Sequence, residues 1–134
     1  MGQIIKIQPD KERARSLIKL ARLRYEKIKT FNEEKESALI AEGYYEVAKE
    51  LMTAILFTDG CKTLSHKDLL EYLETKFKNE FSKLDVELLN QLRILRNKIV
   101  YYGEHIEPSY IKRNKKHIFD IILKLFEICE KKVK

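Results

Sequence analysis

Tryptophan is absent from this chain, and cysteine, proline and glycine are scarce, numbering two, two and four in 134 residues. So little glycine and proline leaves few points where regular structure must stop. The intervals between them are rich in Leu, Ile, Lys, Glu and Ala, a composition that favours helices over strands. Two cysteines, Cys61 and Cys129, are too few for a disulfide framework and fit a reducing compartment, each acting as a small apolar side chain. Cys61 and His66 form an isolated pair with no second pair at ligand spacing, so no metal site is expected. The longest apolar run, around Leu51 to Phe57, is far short of the ~18 residues that a membrane span needs. The apolar start Ile4-Ile5-Lys6-Ile7 is too short and too quickly charged for a signal peptide. The expectation is one soluble, cytoplasmic domain over residues 1–134, with no cofactor and no membrane contact.

What the chain does contain is apolar material and charge. Its hydrophobic fraction of 44% is enough for a core, and a domain of this length buries roughly two-thirds of its unfolded surface. The net charge of +6 is unevenly distributed. Residues 1–30 hold nine Lys or Arg against three acids, and residues 111–134 hold eight against three. The middle, 31–110, carries ten bases against fifteen acids. Two readings follow: the basic ends form a surface facing nucleic acid, or they complement the acidic middle of their own chain. The second is the commoner situation.

Apolar periodicity predicts five helices. The first runs from about Pro9 or Asp10 to Lys29, with Asp10 as N-cap and a stripe of Ala14, Leu17, Ala21, Tyr25 and Ile28. The second runs from about Asn32 to Phe57 and stops at Asp59-Gly60. Its stripe of Ala38, Ala41, Tyr45, Ala48, Met52 and Ile55 broadens beyond Leu51, which marks a central helix. Ser65 with Asp68, and Ser82 with Asp85, have the spacing of capping boxes for helices three and four. The fourth continues through Leu84, Leu88, Leu92, Leu95 and Ile99 to Tyr102, where Gly103 ends it. Pro108 suits the first turn of the fifth. Four long helices and a shorter one, joined by short loops, make an all-α antiparallel bundle.

The densest chemistry lies at the end of helix four, Gln91-Leu92-Arg93-Ile94-Leu95-Arg96-Asn97-Lys98-Ile99-Val100-Tyr101-Tyr102-Gly103. Two arginines, an amide and two tyrosines crowd its last three turns. The plain reading is that cations near a helix C-terminus complement the macrodipole while tyrosines keep their hydroxyls in water. Arg-Asn followed by a short helical turn and His or Tyr also resembles the signature of HEPN domains (higher eukaryotes and prokaryotes nucleotide-binding). The segment Tyr-Tyr-Glu-Val-Ala-Lys at 44–49 is similar to that family's central second helix. The stretch from Gly60 to Leu73, with His66 in a Ser-His-x-x-Leu pattern, looks like its turn into the third helix.

The resemblance covers residues 35 to 103 and implies a dimeric helical bundle, in many members a metal-independent endoribonuclease with the motif Arg, four to six residues, His. Cleavage by the RNA's own 2′-hydroxyl needs a cation at the phosphate, which arginine supplies, and a proton carrier, which histidine supplies. By resemblance Arg96 is the motif arginine and Asn97 the polar residue after it. The histidine position is occupied by Tyr101, giving Arg-x4-Tyr, and a tyrosine titrating near pH ~10 is a poor base at neutral pH. His105 lies beyond Gly103, outside the family's spacing. Arg96 and Tyr101 stand about 140° apart around a helix, whereas Arg93, Asn97 and Tyr101 form a near-continuous stripe. A shared site therefore requires fraying of the helix at Tyr102-Gly103 or groups from a two-fold mate.

Arg93, Arg96, Asn97, Tyr101 and Tyr102 are thus the expected phosphate- or nucleotide-binding residues, with Arg96, Tyr101 and, more weakly, His105 the catalytic candidates. His66, at a helix start, and His117, among Arg113, Lys115 and Lys116, read as structural and as part of a solvated basic face. The favoured function is a homodimeric nucleotide- or RNA-binding module partnered with a small nucleotidyltransferase, as in toxin–antitoxin-like systems. An endoribonuclease ranks second and a non-catalytic basic nucleic-acid-binding dimer third.

Overall fold

A computed structural model describes residues 4–134. Five helices account for most of it: α1 (Lys11–Ile28), α2 (Ser37–Asp59), α3 (His66–Lys76), α4 (Lys83–Tyr102) and α5 (Pro108–Lys132). Their ends are where short-range chemistry puts them. Asp10 accepts from the Arg13 N–H and Ser65 from the Asp68 N–H. Ser82 and Asp85 close a reciprocal capping box at 3.1 and 2.9 Å, and each such cap stabilises its helix by about 0.5–2 kcal/mol. Gly60 and Gly103 terminate α2 and α4 in the left-handed conformation, at φ +76° and +61°, which an L side chain adopts only with strain.

The central position expected for the second helix holds. From Tyr44 to Phe57 almost every residue of α2 is buried, because α1, α4 and α5 all pack against it. Tyr44, Tyr45, Leu51, Met52 and Ile55 of α2 meet Leu89 and Leu92 of α4 and Ile111, Ile118 and Ile122 of α5 in one continuous core. Burying each such aliphatic side chain is worth about 1.5–3 kcal/mol. Cys61 and Cys129 are both free and buried. Burial pushes the Cys129 thiol up to about 12, so it acts as an apolar group with a weak donor, bonded to the Leu51 carbonyl at 3.3 Å.

Three features depart from expectation. The chain is not purely helical: β1 (Ile4–Lys6) pairs antiparallel with β2 (Cys61–Thr63), Ile4 opposite Thr63 and Lys6 opposite Cys61. The second helix starts at Ser37 rather than near Asn32, because local side-chain bonds win over helical ones. Asn32 Oδ1 accepts from the N–H groups of Glu34 and Lys35, and Glu36 Oε1 from the Asn32 N–H, an arrangement that competes with the helix ladder. Leu84 is 68% exposed. The buried face of α4 follows Val86, Leu88, Leu89 and Leu92, and Leu84, in the first turn, lies about 140° around the helix from Leu89 and about 160° from Val86.

Among the described residues no helix is long and apolar enough to cross a membrane.

Candidate functional site

Full burial along α4 ends at Leu92, and from Arg93 to Tyr102 only the partly buried Leu95 and Ile99 among the apolar side chains still pack against the core. Arg96 points back to α2. Its side chain is only 19% exposed, with Nη2 3.5 Å from Glu46 Oε1 and Nη1 donating to Asn97 Oδ1 at 3.2 Å. Arg96 Nε is sealed from solvent with no partner. Arg93 donates from Nε to Asn90 Oδ1 at 3.0 Å.

Glu46 is the hub. The Lys49 ammonium contacts its two oxygens at 2.8 and 3.0 Å, so one nearly buried carboxylate serves two cations. One turn on, Glu50 accepts from Arg24 Nε at 2.6 Å, while its other oxygen is buried and unpartnered. Burial raises the Glu50 pKa despite the Arg24 bond that opposes it. Ionised groups tolerate such burial only when paired. Glu42, Glu46, Lys49, Glu50 and Thr53 form a polar stripe at helical spacing on an otherwise apolar helix, and that stripe is the face of α2 that sequence reasoning missed.

Beside it lies a groove of about 440 Å³ lined by α1, α2 and α4 residues, including Arg24, Leu39, Gly43, Glu46, Arg96 and Val100. Gly43 lets α1 come this close: a Cβ there would lie 2.8 Å from the Ile28 side chain. Tyr101 and Tyr102 are 70% and 82% exposed. Within one chain, therefore, Arg96 turns inward and Tyr101 outward, as their angular separation requires. His105 is also exposed, 3.5 Å from Glu107, and is not brought to Arg96.

Of the other two histidines, His117 differs from expectation. His117 is not simply solvated. Its Nε2 lies 2.6 Å from Asp85 Oδ1, tying α5 to the capped start of α4. His66 stacks at a tilt on Tyr45, ring centroids 5.6 Å apart. Burial lowers its pKa, and Lys49, Arg96 and Arg93 add to this against the opposing pull of Glu46. The Tyr45 hydroxyl is fully buried without a partner. Burial pushes it up to about 12, with Arg93 and Arg96 pulling it back and Glu46 adding to the rise. Tyr45, Glu46, Lys49, His66, Arg93 and Arg96 thus form one electrostatic cluster where α2, α3 and α4 meet.

Much of the basic charge at the chain ends is occupied locally. Arg22 pairs with Glu130 and Lys115 with Glu33, both at 2.6 Å, and Lys112 with Glu34. The Arg13 guanidinium lies over the Phe57 ring and Arg15 donates to the Val133 carbonyl. These contacts favour self-complementation over a free cationic surface.

No group of three or more His, Cys, Asp or Glu among the described residues is placed to hold a metal ion. Comparison with protein-family models, curated proteins and solved structures finds no match to this chain.

Proposed function

We propose that the protein is a HEPN-type homodimeric module that binds the phosphate of a nucleotide or RNA through the end of α4, as the partner of a small nucleotidyltransferase in a toxin–antitoxin-like system. The observation that carries the phosphate assignment is the setting of Arg96. Its guanidinium is largely desolvated yet incompletely used, with Nε unpartnered and Nη2 at the long distance of 3.5 Å from its carboxylate. A planar donor fork held this way is prepared for an oxyanion. The Arg-Asn sequence at the end of a fourth helix supports the family reading.

Dimerisation is supported by the exposed apolar and aromatic side chains around the same helix end, Leu39, Ile94, Val100, Tyr101 and Tyr102. Such a patch calls for a partner surface. A two-fold mate would also bring a second Tyr101 towards Arg96, which one chain cannot do.

The test is anisotropy of a labelled single-stranded RNA and of labelled AMP, with wild type and Arg96→Gln, beside light scattering. Binding weakened about tenfold or more by the substitution, in a particle of twice 16.0 kDa, is the expected result. A monomer whose binding ignores Arg96 would overturn the proposal. Metal-free cleavage by wild type, lost in Arg96→Ala and Tyr101→Phe, would instead make the protein an endoribonuclease.

A further inference from the structure

The groove of about 440 Å³ beside Arg96 falls in the range of small-molecule sites, roughly 300–1,000 Å³. Arg24, Lys27 and Ile28 line it from α1, Arg96 and Val100 from α4, and Glu42 and Glu46 from α2. Phe31, half-buried in the α1–α2 connection, supplies its aromatic ring. A molecule entering this one groove meets two guanidiniums, an ammonium and an apolar wall together.

The cations of the groove are underused. Arg24 gives its Nε to Glu50 at 2.6 Å, and among the described residues its two Nη groups make no hydrogen bond. Arg96 has a buried Nε without a bond and an Nη2 at 3.5 Å from Glu46. Lys27 is exposed and has no carboxylate within ion-pair distance among the described residues. With the ion partners of the lining groups included, Arg24, Lys27, Lys49 and Arg96 face Glu42, Glu46 and Glu50, which leaves one positive charge unanswered. A phosphodiester brings one negative charge, whereas a phosphate monoester brings ~1.5–2 near pH 7. Beside the charges, Phe31 and Ile28 present an apolar face, and stacking on an aromatic ring holds a base of any identity.

We propose that this groove holds one nucleotide unit of a single-stranded RNA, its phosphodiester between Arg24, Lys27 and Arg96 and its base against Phe31. The inference rests on the phosphate-binding reading above and deepens it: α1 takes a direct part in binding, and the ligand is a strand rather than a free nucleotide. Glu50 is a positioning residue, which holds Arg24 by Nε and leaves the Nη edge of the guanidinium for the phosphate. The exposed Leu39 and Val100, which also line the groove, belong to the surface offered to a two-fold mate, so strand and mate are neighbours.

The test uses the whole 134-residue chain with four probes: an oligoadenylate RNA ten-mer, the dinucleoside monophosphate ApA, AMP and ribose 5-phosphate. Calorimetry gives affinities for wild type, Lys27→Gln, Phe31→Leu, Arg96→Gln and, as an external control, Lys116→Gln. Arg24→Gln is read in a Glu50→Gln background against Glu50→Gln alone, so that no buried carboxylate is stranded. Thermal melts establish that every variant is folded. Phe31→Leu and Arg24→Gln should each weaken ApA and ten-mer binding about tenfold, as loss of a stacked base or a charge-assisted bond does. Lys27→Gln should weaken it several-fold, and Lys116→Gln should leave it unchanged. ApA should bind more tightly than AMP, and AMP more tightly than ribose 5-phosphate. The Phe31 ring resonances of wild type should move in a saturable way with ApA, a readout that needs no substitution. AMP binding tighter than ApA would overturn the strand in favour of a free nucleotide. Phe31 resonances that move with protein concentration and with no probe would make a second copy of the chain the occupant. If Arg96→Gln weakens binding while the Lys27, Phe31 and Arg24 variants bind normally, the groove is wrong and the general phosphate reading survives. If no variant alters binding, or no probe binds, both fail.

Discussion

Replacing Tyr45 by phenylalanine removes one oxygen from the core and leaves its volume almost unchanged. In most proteins that change destabilises, because a buried tyrosine hydroxyl normally has a partner. Here the hydroxyl is fully buried and bonded to nothing. A stranded group of this kind costs about 1–3 kcal/mol, and a ring-for-ring swap adds little packing strain. The free protein should therefore gain about 1 kcal/mol, or roughly 3–5 °C in Tm for a chain of this size. Urea denaturation, with the slope unchanged between variants, measures this directly. A Tyr45→Phe variant that is less stable by about 1 kcal/mol or more would mean that the hydroxyl is satisfied within the fold and not stranded.

Glu46→Gln should release Arg96 and Lys49 from their shared carboxylate, raising phosphate affinity several-fold while lowering stability; anisotropy and melts measure the two effects. Glu50→Gln should show a pH-dependent gain. The folded pKa of Glu50 is raised by burial, so wild type carries no penalty below the unfolded carboxylate value near ~4.3 and acquires one as pH rises through the folded pKa. Melting both proteins from pH 4 to 8 should show the variant gaining on wild type over that rise. Gly103→Ala should cost about 1–2 kcal/mol from its left-handed backbone alone, because a Cβ there meets nothing within 4 Å. Gly60→Ala should cost more on the same melts, because its Cβ would also press on the Ile7 carbonyl and Pro9 at 3.1 Å.

The helix ends were legible because they are set by neighbouring residues: Asp10, Ser65 and Ser82 at the starts, Gly60 and Gly103 at the stops. The antiparallel pairing of β1 with β2 was not. Three residues are too few for alternation to register, and Ile4 meets its partner Thr63 only after α1 and α2 have folded between them. Leu84 misled because it shares a four-residue spacing with the buried Leu88 and Leu92, yet it stands in the first turn at the edge of a face centred between Leu89 and Leu92. That Arg96 and Tyr101 face apart followed from helix geometry alone; which of them turns inward did not. The rest of the site was half visible. The polar stripe of Glu42, Glu46, Lys49 and Glu50 inside an apolar helix was a signal in plain sequence, whereas the approach of His66 to Tyr45 depends on how α3 is laid across α2.

If phosphate engages Arg96, the Arg96 Nε–H group is the atom that must respond, since it is buried and unbonded in the free protein. In a ¹⁵N-labelled sample its resonance, assigned by its absence in Arg96→Gln, should be followed while RNA or AMP is added. A downfield proton shift that saturates along the binding curve measured by anisotropy is predicted, as a new hydrogen bond forms. An Arg96 Nε–H resonance that stays in place while the ligand saturates would contradict the claim.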